Sequence, residues 1–359
     1  MRIGIVSPYS LTLPGGVQGQ VLGLARVLRA KGHETRVLGP CDGPPPDAGV
    51  TAIGNSLPTA ANGSVAPIAP DAAAQLRIIA ALREESFDVV HVHEPLAPGI
   101  TTTTLLLRPA PLVGTFHAAG GSKAYRWLKV GVRAIARRLD VRCAVSEDAR
   151  AMAYEALGGT YRVLYNGIEV DRVLAAEPMP SSGPTIFFVG RHEPRKGLDV
   201  LLTAMAALPK DTRLWVAGEG PDTRMLQAKV AGDPRIEWLG RISDAEKLAR
   251  LRGADVFCAP SLRGESFGIV LIEAMAARTA VVASDLPGYA NVARGGHDAW
   301  LVPPGDPRAL GAALATVLTD ADRRAELVEH GAVRADQFSM DSLADAYLAC
   351  YAEARGRWA

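Results

Sequence analysis

Five side chains in this 359-residue sequence could do chemistry together: His117, Arg191, Lys196, Glu265 and Glu273. Arg191 and Lys196 stand in Gly190-Arg191-His192-Glu193-Pro194-Arg195-Lys196-Gly197, directly after a strand-like run. A guanidinium forks onto two oxygens and an ammonium supplies a point charge, so the pair suits a diphosphate, although a solvated charged loop is the plainer reading. Gly264-Glu265-Ser266-Phe267-Gly268-Ile269-Val270-Leu271-Ile272-Glu273 puts one carboxylate in a loop and another on the helix that follows. The first can accept hydrogen bonds from sugar hydroxyls and the second can reach a ribose. Paired acids on a surface helix usually mean nothing, but between glycines and apolar residues a carboxylate needs a partner.

His117 ends the run Gly114-Thr115-Phe116-His117, either as a residue that meets ligand or as a core hydrogen-bonder. His91 and His93 alternate on one strand without a clear third ligand, so a structural role is favoured over a metal site. No Asp-x-Asp pair stands at a strand end, which disfavours metal-dependent sugar transfer, and no metal is expected. Leu13-Pro14-Gly15-Gly16-Val17-Gln18 opens a helix after the first strand. There Gly15 and Gly16 either let the backbone approach a phosphate at the helix N-terminus or form a flexible turn. The absence of a full G-x-G-x-x-G weakens a dinucleotide oxidoreductase reading.

The elements that position these groups follow from periodicity. Strands are expected at Ile3–Val6, Thr35–Leu38, Asp88–His93, Leu112–Thr115 and Val141–Val145, with a helix over Val17–Ala30. The breaker-rich Glu177-Pro178-Met179-Pro180-Ser181-Ser182-Gly183-Pro184 reads as a linker. A second alternation follows, with strands at Thr185–Gly190, Arg213–Ala217, Ile236–Leu239, Val256–Ala259 and Ala280–Ala283. The expected fold is α/β, with Rossmann-like domains over 1–176 and 177–339 facing a central cleft. A last helix near Met340–Glu353 can cross back to the first domain. In parallel sheets a ligand lies beyond the carboxyl ends of the strands.

Composition is that of an ordinary globular chain, with 48% hydrophobic and 21% charged residues. The net charge of +1 gives no attraction to nucleic acid. Residues 1–175 hold 18 Lys and Arg against 14 Asp and Glu, and the remainder 21 against 24, so the first half is mildly basic. Cys41, Cys143, Cys258 and Cys350 are scattered, which fits a reducing cytosol. No signal peptide or membrane-spanning run is read, so a peripheral membrane contact is the expectation.

The sequence resembles the retaining glycosyltransferases of family 4, and within them the bacterial phosphatidyl-myo-inositol mannosyltransferases. The resemblance spans nearly the whole chain. It is carried by Pro8-Tyr9-Ser10 with Pro14 through Gln18, Asn62-Gly63-Ser64-Val65-Ala66, His93-Glu94-Pro95, Thr115-Phe116-His117, Tyr165-Asn166-Gly167, Gly190-Arg191 with Pro194 through Gly197, and Gly264 through Ala276. It implies a nucleotide-sugar co-substrate, GDP-mannose, and no other cofactor. Arg191 and Lys196 would hold its diphosphate with the Gly16 backbone, Glu273 the ribose and Glu265 the transferred sugar. Ser266, Phe267, Gly268, Ile269 and Val270 complete that donor loop, and Arg241 and Ile242 lie in the loop that touches the base. His117 would contact the sugar hydroxymethyl group and assist at the reacting centre.

The resemblance further implies that Tyr9, Gln18, Asn62, Ser64 and Lys123 meet an inositol phosphate, so an anionic lipid and a membrane surface are the expected partners. Two positions depart: an acidic residue usual in the first loop is Thr12, and a basic residue usual after Asn-Gly-Ser-Val-Ala is Pro67. The family's basic lipid-facing helix is also diluted, as Ala72–Glu85 carries only Arg77 and Arg83. A substitute is Lys123, Arg126, Lys129, Arg133 and Arg137 on one helical face, with Leu128, Val132, Ile135 and Leu139 on another. That pattern fits an interfacial helix or a solvated face over an ordinary core stripe. Rival readings are a family 4 transferase using another nucleotide sugar and a soluble acceptor, a nucleotide-sugar epimerase, and a non-catalytic sugar- or lipid-binding protein.

Overall fold

Successive residues of a strand face opposite ways, so β1 (Arg2–Val6) sends Ile3 and Ile5 into one apolar core and Val6 into another. The computed structural model describes residues 1–13, 15–61, 64–117, 129–265 and 267–358. They divide into one unit of Met1–Gly167 with Met340–Ala359, and a second of Ile168–Ser339.

In the first unit β1 is followed by α1 (Gly16–Ala30), β2 (Glu34–Gly39), β3 (Val50–Ala52), β4 (Leu57–Ala61), β5 (Ser64–Ile68), α2 (Ala72–Glu84) and β6 (Val89–His93). Then come α3 (Ile100–Leu107), β7 (Leu112–Phe116), α4 (Lys129–Ala136), β8 (Val141–Ala144), α5 (Glu147–Leu157) and β9 (Arg162–Val163). Among the described residues a parallel sheet runs β3-β2-β1-β6-β7-β8-β9, and β4 and β5 form a separate antiparallel pair. Leu24 and Leu28 of α1 cover one face together with Tyr347 and Tyr351 of the C-terminal helix Met340–Trp358. Ile78 and Leu82 of α2 and Ile100 of α3 cover the other. Local signals agree with these bounds: Ser146 caps α5 by accepting from Ala149 N at 3.1 Å.

The second unit holds α6 (Val170–Leu174), β10 (Thr185–Val189), α7 (Leu198–Ala204), β11 (Arg213–Ala217), α8 (Thr223–Lys229), β12 (Ile236–Gly240), α9 (Asp244–Gly253) and β13 (Val256–Ala259). It continues with α10 (Ile269–Ala276), β14 (Ala280–Ser284), β15 (Trp300–Val302), α11 (Pro307–Thr319) and α12 (Ala321–Asp336). Its parallel sheet runs β12-β11-β10-β13-β14-β15. Phe187, Trp215 and Phe257 face one core, while Ile186, Leu214 and Val256 face the other.

The break between units falls at Gly167 and Ile168 rather than at 176/177. The breaker-rich segment belongs to the second unit because it is packed there: Met179 N donates to Ala249 O at 2.8 Å, and the Gly253 backbone leaves no room for a side chain beside Met179. The C-terminal helix, Met340–Trp358, is part of the first unit.

Both sheets reverse strand order once, between β1 and β6 and between β10 and β13. At such a reversal the loops after the two central strands part, and a crevice opens at their carboxyl ends. Of the residues singled out above, Gly15 and Gly16 follow β1, Arg191 and Lys196 follow β10 and Glu265 follows β13, whereas His117 follows the neighbouring β7 and Glu273 lies on α10.

Candidate active site

In the second unit Gly190 to Gly197 follows β10, and Pro260 to Glu265 follows β13. The two loops come together because residue 197 is glycine. Its φ of +68° is left-handed, and a Cβ there would collide with the carbonyl oxygen of Pro260. The approach lets Lys196 Nζ bond Glu265 Oε1 at 2.6 Å, while Ser261 Oγ donates to the same oxygen at 2.9 Å. Arg195 Nη1 lies 3.6 Å from that oxygen, and Tyr289 OH donates to Ser261 Oγ at 3.1 Å. Lys196 and Glu265 are therefore partners of one another here, although the sequence assigned them to different parts of a ligand. Arg191 stays largely exposed, with Nε 3.7 Å from Glu193 Oε2.

Glu273 faces away from bulk water on α10 and accepts from Lys247 Nζ at 2.7 Å. Burial pushes the Lys247 ammonium down, but the carboxylates of Glu273 and Asp244 more than offset it, so its pKa is raised. Gly268 caps α10 at φ +86°, and a Cβ there would meet the Tyr289 ring at 2.8 Å. Ile269 and Val270 form the first turn of that helix, whose leading N–H groups have no intrahelical acceptor. The Phe267 ring is buried edge-on to Phe338, so its backbone is the part left to meet a donor. Ser266 lies outside the described residues. Arg241 is exposed and pairs with Glu219 at 3.1 Å, while Ile242 packs partly against the core.

In the first unit Tyr9 follows β1, Glu94 follows β6 and His117 follows β7. Glu94 takes a left-handed φ of +45°, and its Oε1 accepts from the His117 backbone N at 2.8 Å. His117 Nε2 lies 2.8 Å from His93 Nδ1 with the rings stacked. Burial lowers the pKa of His117 to about 3, so its imidazole is neutral near pH 7. Burial, then the nearby Glu94 charge, pushes the Tyr9 phenol up and keeps it protonated. His91 bonds Tyr351 OH at 2.9 Å and Thr115 Oγ1 at 2.7 Å, which ties the C-terminal helix to the sheet. No group of three or more His, Cys, Asp or Glu among the described residues is placed to hold a metal ion.

Gly15 precedes α1 in extended backbone, and a Cβ there would strike the Gln18 side chain, whereas Gly16 faces open space. Gln18 is buried. Tyr9 bridges Ile68, and Ser10 N donates to Pro67 O at 2.9 Å, so the loop after β1 lies against β5. Ser64 begins β5 in register with Ala61. Asn62 and Lys123 lie outside the described residues. Thr12 Oγ1 is 3.1 Å from Ser10 Oγ and accepts from Asp42 N at 2.9 Å. Both departing positions, 12 and 67, thus meet at Ser10. Arg133 on α4 and Arg137 just after it are exposed while Ile135 and the following Leu139 pack into the core; the basic residues before α4 lie outside the described residues.

Sequence reasoning missed Glu94, Lys247, Ser261 and Gln20. Gln20 closes a two-bond clamp on Gly167, donating to its oxygen and accepting from its nitrogen at 2.8 Å each. A buried Gln on the helix stripe of α1 was the available signal. Lys247 had none, because its partner Glu273 is distant in sequence.

Residues 14–172 match the Glycosyltransferase Family 4 model and residues 183–320 the model for glycosyl transferases group 1. The chain belongs to glycosyltransferase family 4 and has the two-domain B-type fold of nucleotide-sugar glycosyltransferases. It is 40% identical to the phosphatidyl-myo-inositol mannosyltransferase of Mycobacterium leprae, over 98% of this chain and 96% of that one. A protein of the same name from Propionibacterium freudenreichii is 37% identical over 81% and 79% of the two chains. Among solved structures, Anabaena HepE in complex with UDP shares the fold at a TM-score of 0.74 and 18% identity, covering 98% of this chain and all of that one.

Proposed function

We propose that this glycosyltransferase moves mannose from GDP-mannose onto a phosphatidylinositol-type lipid, with retention at the anomeric carbon and no metal or further cofactor. The observation that carries the reading is 40% identity, across nearly both full lengths, to a relative of that name. The Lys196 and Glu265 pair, with Arg191 exposed on the same loop as Lys196, supports it chemically. Arg191 and Lys196 bind the diphosphate, Glu265 the sugar hydroxyls, Glu273 the ribose, and the backbone of Gly268 to Val270 completes the donor pocket. His117 contacts the transferred sugar, and a neutral imidazole there donates a hydrogen bond rather than a charge. Tyr9, Gln18, Asn62, Ser64 and Lys123 take the acceptor.

Retention follows from attack on the face that the diphosphate leaves. The bond from the anomeric carbon to the phosphate oxygen breaks while the bond to the acceptor oxygen forms, and the acceptor proton passes to the departing diphosphate. The protein supplies positioning and charge stabilisation. No described helix is long and apolar enough to cross a membrane, so access to lipid would be peripheral, at the inner face of the cell membrane, helped by Arg133 and Arg137. Each such residue near an anionic surface adds roughly 1 kcal/mol and is screened by salt.

A second reading, a soluble acceptor or another nucleotide sugar, is favoured by Thr12 and Pro67, which place neutral groups where the resemblance implies charge. Incubation with labelled GDP-, UDP- and ADP-sugars, each with phosphatidylinositol vesicles or soluble inositol phosphate, separates the readings. Transfer from GDP-mannose to the lipid supports the first. Turnover of UDP-sugar alone, or transfer only to the soluble acceptor, sinks it.

A further inference from the structure

We propose that His93 is a positioning residue for His117: it donates from Nδ1 to His117 Nε2 and so fixes the His117 proton on Nδ1. The inference rests on the reading that His117 contacts the transferred sugar, and it adds which ring nitrogen is the donor and what selects it.

The geometry leaves two arrangements of the 2.8 Å bond between His93 Nδ1 and His117 Nε2. Each ring is neutral, since burial lowers both pKa values well below the ordinary range, so each carries a single proton. If His117 donated, the His93 proton would sit on Nε2. That atom is buried and has no hydrogen-bond partner among the described residues. Among buried backbone groups an orphaned N–H is rarer than an under-satisfied acceptor, and the same preference leaves the lone pair of His93 Nε2, rather than a proton, without a partner. His93 therefore carries its proton on Nδ1 and donates it. His117 Nε2 is then the acceptor, and the only N–H that its ring can offer a ligand is at Nδ1.

The surroundings hold the pair in register. His93 lies between His91, whose tilted ring is 4.3 Å away between centroids, and His117, at 5.0 Å. Glu94 anchors the His117 backbone from the next residue of the same loop. His91 has both nitrogens occupied, by Tyr351 and Thr115, so it does not compete for the pair. His93 ends the central strand β6 and His117 follows β7, its neighbour, so the bond also spaces two loops of the first crevice.

Long-range proton–nitrogen spectroscopy on histidine-labelled protein reads the tautomers directly, without any activity. The expected spectrum shows both His93 and His117 protonated at Nδ1; a proton on Nε2 of His117 overturns the proposal. Kinetics add a second arm. His93→Leu should lower kcat roughly tenfold, the scale of one buried hydrogen bond, with the KM for nucleotide sugar little changed. His93→Asn, whose amide NH2 reaches the place of Nδ1, should restore most of the loss. A folded His93→Leu protein with unaltered kcat overturns the proposal, and should that variant fail to fold, the wild-type spectrum still decides. If His117→Ala leaves transfer intact, the assignment of His117 to the sugar falls instead, and the tautomer result separates that failure from this one.

Discussion

Lys196 and Glu265 neutralise one another at 2.6 Å across the two loops that flank the strand reversal of the second sheet. Each is the other's partner before any ligand arrives, so an incoming diphosphate competes with a carboxylate for the ammonium. Lys196→Ala should weaken nucleoside diphosphate binding by about 1.5–3 kcal/mol, the range for a charge-assisted hydrogen bond, and free nucleoside far less. Glu265→Gln should leave diphosphate binding intact or tighter while transfer falls. Titration calorimetry with GDP and guanosine checks both; equal losses for the two ligands in Lys196→Ala would place Lys196 away from the phosphates.

Gly197→Ala should damage the same site through the backbone. A left-handed conformation costs a non-glycine residue about 1–2 kcal/mol, and the new methyl would also be driven into Pro260 O. A lowered urea midpoint together with weaker GDP binding is expected. Unchanged values for both would mean that the loops do not need their close approach.

Acid should destabilise the first unit. The His91 pKa is lowered to about 3, by burial first and then by the nearby His117, and burial holds His93 and His117 down as well. An unfolded histidine titrates near 6.5, so between about pH 6.5 and 3 the unfolded chain binds more protons than the folded one. Stability is therefore full above about pH 6.5 and is lost as pH falls through that window, by up to about 1.4 kcal/mol per pH unit for each fully shifted group. Urea midpoints at about pH 7.5 and about pH 5 measure the slope. His91→Gln, which cannot titrate, should make it shallower, and an unchanged slope would assign the acid lability elsewhere.

Tyr351→Phe removes the hydroxyl that bonds His91 Nδ1. A buried ring nitrogen left unpaired costs about 1–3 kcal/mol, and the loss should localise to the C-terminal helix. Hydrogen exchange of Met340–Trp358 is the measurement; faster exchange there with second-unit helices unaffected is the expected pattern.

The strands were legible because parallel sheets buried on both faces read as short β-branched runs, and Arg213–Ala217 and Val256–Ala259 have the bounds that periodicity assigns them. The antiparallel pair β4 and β5 was not, although Asn62-Gly63 between two short runs is a hairpin signal; Pro58, Pro67 and three alanines dilute the alternation. The unit boundary was misplaced because breakers mark irregular backbone, not exposure, and Met179 is irregular yet packed. For the candidate site, residue types and positions after strands singled out Arg191, Lys196, Glu265 and His117. Their mutual contacts were hidden, since pairs such as Lys196 with Glu265, or Glu273 with Lys247, join loops and helices far apart in the chain.

The chain leaves the first unit at Gly167 and returns at Met340, with Ile168 N bonded to Phe338 O at 2.8 Å beside the crossing. The second unit is thus an uninterrupted stretch inserted into the first. During synthesis it can finish folding once Ser339 has cleared the ribosome, while the earlier half must wait for Met340–Trp358 to be made as well. Until Tyr347 and Tyr351 arrive, His91 and the part of that sheet face beside α1 stand uncovered, so the half begun first is completed after the second.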